Sequence, residues 1–82
     1  MHVNPLRADL VTFLSKRRLS SRFQKQLAFF VNNPRHPSLH MELLEPKNLR
    51  LYSFRIDQKY RVIFLFVSED IAEIIDINAH YQ

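Results

Sequence analysis

Residues 52–66 read YSFRIDQKYRVIFLF, and their alternation decides the fold. Aromatic and aliphatic residues recur at period two on both sides of Asp57-Gln58-Lys59, the pattern of two strands joined by a tight turn. Alternate residues of a strand share a face. Tyr52, Phe54 and Ile56 therefore fall on one side, with Ser53 and Arg55 on the other. A three-residue loop at 57–59 sets position 54 opposite 62 and position 55 opposite 61. The aromatic set then lines one face, and Arg55 and Arg61 emerge together on the far face. Like charges directly opposed across a strand pair are destabilising unless an anion meets them. That anion is either a carboxylate of the same chain, with Glu42, Glu45 and Asp57 as candidates, or a phosphate from outside.

Working outward, a third strand is expected at about 71–77 behind Ser68-Glu69-Asp70, so the sheet is mainly antiparallel. Upstream the period changes. Leu6, Leu10, Phe13 and Leu14 predict a helix over about 5–17 with Pro5 in its first turn. Ser21 and Gln24 make a capping-box pattern ahead of Phe23, Leu27, Phe30 and Val31, and Asn32-Asn33-Pro34 stops this second helix. Residues 34–48 read as a long connection carrying Pro34, Pro37 and Pro46, and residues 1–4 as at most a brief edge strand. The expected architecture is α+β, an N-terminal helical hairpin packed on a small, mainly antiparallel twisted sheet, with 1–82 forming a single domain.

Composition narrows the chemistry. The chain has no Cys, which excludes disulfides, a thiol nucleophile and a cysteine-based zinc site. It has no Gly, which excludes the glycine-rich phosphate loops of nucleotide-binding proteins and leaves the turns to Asn, Asp, Pro and Ser. The net charge of +4 is unevenly spread: +6 over residues 1–41, +2 over 42–68 and −4 over 69–82. Such a basic domain suits a polyanionic partner. Residues 1–20 are interrupted by Asn4, Pro5, Arg7 and Asp9 and do not read as a signal peptide, and no apolar run is long enough for a membrane helix, so a cytoplasmic location is expected. His36 and His40 are separated by Pro37, and no further ligand pattern accompanies them; no metal or cofactor is expected.

The stretch LYSFRIDQKYRVIF, followed after one more strand by a terminal AHY, resembles the RelE/ParE superfamily of toxins from bacterial type II toxin–antitoxin systems. The lead-in FQKQLAFFVNNPRHPSLHMELL is similar to the same superfamily, and the spacing from Glu42 to His80-Tyr81 is most similar to its YoeB branch. The resemblance implies a ribosome-dependent endoribonuclease that cleaves mRNA without a metal and is silenced by a cognate antitoxin. Arg61 matches the superfamily's strand arginine at the scissile phosphate; Glu42 falls at its carboxylate, and His80 and Tyr81 at its C-terminal His-Tyr. By this resemblance Glu42 is the general base, His80 the general acid, Arg61 the phosphate clamp, and Tyr81 a group that orients the phosphate or stacks on a base. Arg55, Lys59, Lys47 and Arg50 are the cations assigned to RNA binding, and Lys16, Arg17, Arg18, Arg22 and Lys25 form either a solvated helix face or a grip on ribosomal RNA. Two alternatives remain open: a ParE-type toxin that inhibits DNA gyrase without cutting RNA, and a non-enzymatic RNA-binding domain.

Overall fold

The computed structural model describes residues 1–79. The chain runs through β1 (His2–Val3), α1 (Ala8–Lys16), α2 (Ser20–Asn32), β2 (Glu42–Leu43), β3 (Tyr52–Arg55), β4 (Tyr60–Ser68) and β5 (Ile71–Ala79), with short 3-10 turns at Pro37–Leu39 and Lys47–Leu49. The strands form one sheet in the order β1-β5-β4-β3-β2. Among the described residues only β1 is parallel to its neighbour β5; the other pairings are antiparallel. The architecture is α+β, two helices on a mostly antiparallel sheet, as the alternation and helical spacing predict.

The hairpin register is the one read from the loop length. Phe54 pairs with Val62 and Arg55 with Arg61. Asp57 fixes the turn, its carboxylate accepting from the backbone N–H of Lys59 and of Tyr60, both at 2.8 Å. The face shared by Phe54, Val62 and Phe64 is fully buried, and Leu10, Leu14, Phe23 and Phe30 of the helices close over it. Phe30 stands at the centre, stacked on Phe54 and edge-on to Phe64, with ring centroids 4.8 Å away in each case.

Several expectations change in detail. Helix α1 begins at Ala8 instead of Pro5. The Asn4 backbone N–H still donates to Ala72 at the sheet edge, so Pro5 and Leu6 are spent crossing from the sheet to the helix layer. The Arg7 side chain then ties the helix start to β5, with Nη1 donating to the Ile75 carbonyl at 2.9 Å and Nε and Nη2 gripping Asp9.

The Ser21–Gln24 capping box does not form, because α2 starts at Ser20 behind Leu19 and has no side-chain cap. What joins the helices is a Schellman closure of α1. Arg18 adopts φ 56°, its N–H donates to the Ser15 carbonyl at 3.1 Å, and the Leu19 N–H reaches the Leu14 carbonyl at 2.9 Å. Leu14 and Leu19 are both buried and supply the motif's apolar contact. Without glycine, the left-handed positions fall to Arg18, His40 and Arg50, not to the Asn, Asp or Ser expected.

The connection from 34 to 48 is also more structured than its prolines suggest. It contributes β2, whose Glu42 pairs with Ser53 and Leu43 with Tyr52. Buried Gln26 of α2 anchors it, donating from Nε2 to the carbonyls of Ser38 (3.1 Å) and Arg55 (2.8 Å). Among the described residues no helix is long and apolar enough to cross a membrane.

Candidate functional site

The pairing register places the far face of the sheet residue by residue. Glu42, Ser53, Ile63 and Asp76 lie in one row across β2, β3, β4 and β5. Arg55, Arg61 and Asn78 form the next row. Glu42 is thus on the same face as Arg61, one row away and beyond β3.

Arg61 is the unusual member. Its residue exposure is 3%, although a guanidinium in a strand this apolar would be expected at the surface. Two groups hold it. Nε donates to Ser53 Oγ at 2.9 Å, and Nη2 donates to the His40 backbone carbonyl at 2.6 Å. Nη1 is buried with no hydrogen-bond partner among the described residues. Both acceptors are neutral. No ion pair of Arg55 or Arg61 with a carboxylate occurs among the described residues; Asp57 is instead met by Arg22 at 3.4 Å.

The electrostatics follow from that environment. Burial pushes the Arg61 pKa below the ordinary guanidinium value. The Glu42 carboxylate works in the opposite direction, and the Arg55 charge adds to the lowering. Among the described residues this buried cation has a like charge directly opposite and no carboxylate within ion-pair distance, so its charge is left largely unneutralised.

The other sequence-derived candidates separate into those that join this face and those that do not. Glu42 is exposed on β2, and Arg55 is half-buried beside Arg61. Lys59 is exposed in the turn, its ammonium 5.4 Å from the ring of Tyr60, which packs edge-on against Phe13 on the helix side. Lys47 and Arg50 are exposed on the 3-10 turn between β2 and β3, with Arg50 closing it at φ 55°. His80 and Tyr81 lie outside the described residues. Lys16, Arg17, Arg18, Arg22 and Lys25 are all exposed, and Arg17 sits 3.7 Å above the Phe13 ring. Among the described residues no cluster of His, Asp and Glu could hold a metal ion.

Sequence reasoning passed over Ser53, His40 and Gln26. Ser53 carried a usable signal, as a small hydroxyl on the arginine side of β3. So did Gln26, a polar residue three positions after Phe23 on the buried stripe of α2. His40 had none, because it acts through a backbone carbonyl that any residue supplies.

Comparison with known proteins turns on the same architecture. A YoeB/ParE toxin from Agrobacterium tumefaciens superposes with a TM-score of 0.73 at 17% identity, covering 99% of this chain and 100% of that one. The chain has the YoeB/ParE toxin fold. This toxin fold is shared with the YoeB–YefM toxin–antitoxin heterotetramer of Staphylococcus aureus (TM-score 0.70, 16% identity, 98% and 94% covered). It is also shared with YafQ of E. coli (TM-score 0.72, 10% identity, 96% and 90% covered). No protein-family model matches the chain. In sequence, 35 residues are 40% identical to an uncharacterized protein of Haemophilus influenzae, and the match spans 43% of this chain but only 35% of that protein.

Proposed function

We propose that the chain is the toxin of a type II toxin–antitoxin pair and acts as a ribosome-dependent endoribonuclease on mRNA. The observation that carries this reading is Arg61, buried at 3% exposure and, among the described residues, held by two neutral acceptors with Nη1 unpartnered, on the sheet face that also bears Glu42.

The chemistry is transesterification by acid and base. Glu42 takes the proton from a ribose 2′-OH, whose oxygen attacks the adjacent phosphorus. The bond from phosphorus to the 5′-oxygen breaks, and that oxygen leaves with a proton supplied by His80. The products are a 2′,3′-cyclic phosphate and a 5′-hydroxyl. Arg61 stabilises the charge that builds on the non-bridging oxygens, and Arg55 adds to the field. Tyr81 orients the phosphate or stacks on a base. Lys47, Arg50 and Lys59, with the helix cations Lys16, Arg17, Arg18, Arg22 and Lys25, bind RNA phosphates beyond the scissile one, so activity falls with salt.

The partner follows from the same face. The S. aureus relative in fold is seen with the YefM antitoxin. Here an acidic antitoxin segment would cover Arg55 and Arg61, beside the half-buried side chains of Leu51, Ile63 and Leu65.

The test is to express the chain with and without Arg61→Ala and Glu42→Gln and map mRNA ends by primer extension. In-frame cuts that vanish with either variant support the nuclease. Intact mRNA with inhibited supercoiling supports the gyrase-directed reading, and a chain that binds RNA without cutting it or arresting growth supports the plain binding domain.

A further inference from the structure

Arg61 has five N–H donors in a rigid plane, and the way they are spent is informative. One goes to Ser53 Oγ, a side chain with 0% exposure that offers no alternative position. A second goes to the His40 carbonyl. That carbonyl is set by a backbone in the left-handed region, at φ 45° and ψ 51°, where His40 closes the 3-10 turn Pro37–Leu39. The turn is itself held from α2, because Gln26 Nε2 bridges the Ser38 carbonyl to the Arg55 carbonyl at the end of β3. A continuous set of contacts therefore runs from the helix layer, through Gln26 and the turn, to the guanidinium.

A carboxylate in place of either acceptor would take a guanidinium edge in two parallel bonds and cancel most of its charge. A hydroxyl and a peptide carbonyl fix the plane of the group and leave the charge intact. We propose that Ser53 and the His40 carbonyl, the latter placed by Gln26, are positioning groups that clamp Arg61 through Nε and Nη2 and hold its charge unneutralised beneath the sheet face that receives the scissile phosphate. This inference rests on the nuclease reading for the identity of the phosphate. The clamp itself is a property of the free protein.

The experiment uses the full chain, with inorganic phosphate as the probe of the site and ribosome-bound mRNA as the substrate. In the wild type, the Arg61 Nε–H resonance (assigned by its loss in Arg61→Lys) should exchange with solvent at least about tenfold more slowly than that of exposed Arg22. It should also shift on titration with phosphate and not with chloride at equal ionic strength. Ser53→Ala should abolish the slow exchange and lower kcat about tenfold or more, with KM within about twofold, since the lost contact orients a group that acts in the transition state. Ser53→Thr, which restores a hydroxyl, should recover most of the loss. Gln26→Glu, which cannot donate, should shift kcat in the same direction as Ser53→Ala.

Fast exchange of the wild-type Arg61 signal would overturn the clamp without any variant having to fold. Unchanged kcat in Ser53→Ala, where Arg61→Lys is inactive, would overturn it too. Absence of cleavage by the wild type would sink the nuclease reading instead, and the exchange and phosphate measurements would still judge the clamp.

Discussion

A buried, unneutralised guanidinium costs stability, and the clearest consequence is that removing it should stabilise the protein while ending activity. The perturbation is Arg61→Met together with Ser53→Ala. Methionine keeps an unbranched side chain of similar reach, and alanine removes a hydroxyl that would otherwise be stranded at 0% exposure. On the losing side are the bonds to Ser53 and to the His40 carbonyl, worth about 1.5–3 kcal/mol each as hydrogen bonds of a charged donor. On the gaining side are a desolvation penalty of several kcal/mol for the cation and about 1–3 kcal/mol for the donor Nη1 left without a partner. The repulsion from Arg55, directly opposite in the ladder, is relieved as well. The balance is a gain of about 1–2 kcal/mol, comparable to the outcome when buried ionic groups elsewhere are replaced by well-packed apolar ones.

Urea denaturation followed by far-UV circular dichroism measures it, and the melting temperature should rise by roughly 5–15 °C for a domain of this size. Phosphate supplies an internal control. At ten times its dissociation constant it should stabilise the wild type by about 1.4 kcal/mol through mass action and leave the double variant unmoved. The sign with pH is also fixed. A guanidinium with its folded pKa below its unfolded one destabilises the fold at every pH below both. Arginine stays protonated throughout the neutral range, so the gain should be flat from about pH 5 to 9. A double variant less stable than wild type by about 2 kcal/mol or more would refute the reasoning, because Arg61 would then be a structural anchor and not a cation kept for a ligand.

The remaining predictions concern the scaffold. Arg18→Gly places the residue that tolerates φ 56° at the Schellman position, and should stabilise the chain by about 1 kcal/mol in the same urea titration; a loss of stability would mean that the Arg18 side chain holds the α1–α2 corner. The Asp9 pKa is lowered, first by the hydrogen bonds from Arg7, so its contribution to stability is present above its unfolded value near 3.8 and is lost as pH falls through the lower folded value. Asp9→Asn should therefore flatten the decline of the urea midpoint below pH 4; identical pH profiles for the two proteins would show that the pair does not couple to folding.

How much of this was legible varies by the range of the interaction that decides it. The β3–β4 register was, because a loop of three residues and a period of two are local facts, and they put Phe54 against Val62 and Arg55 against Arg61. The brief edge strand read at residues 1–4 is β1, although its pairing with distant β5 left no local trace, whereas the two-residue strand β2 was not readable inside the connection, since two residues show no period and its partner lies about ten positions on. The burial of Arg61 lay furthest out of reach. Alternation correctly sends it to the face away from the helices, but its cover comes from the connection, through the carbonyl of His40 twenty-one positions upstream. Backbone acceptors leave no trace in side-chain identity. The left-handed turns were misread for a related reason: Asn, Asp and Ser are the residues most often found where glycine is absent, whereas here packing on either side of Arg18 and His40 imposes the conformation on whatever residue stands there.

The two faces of the sheet then have opposed energetic roles, and the opposition can be measured. The near face must supply the stability that the far face gives up, and Phe30 is its centre at 0% exposure, against Phe54 and Phe64. Phe30→Ala should cost about 3–5 kcal/mol, a large share of the stability, roughly 4–12 kcal/mol, expected of a chain this long. In the wild-type background the variant should therefore unfold at a much lower urea concentration, with little or no folded baseline. Combined with Arg61→Met and Ser53→Ala it should recover a cooperative transition, because the substitutions sit on opposite faces without a shared side-chain contact and their effects add. Recovery by the same 1–2 kcal/mol measured in the Phe30 background and in the intact one is the expected result. A Phe30→Ala chain that the far-face substitutions do not rescue would show that the guanidinium and the aromatic core are one cooperative unit, and that the anion site is part of what folds the protein.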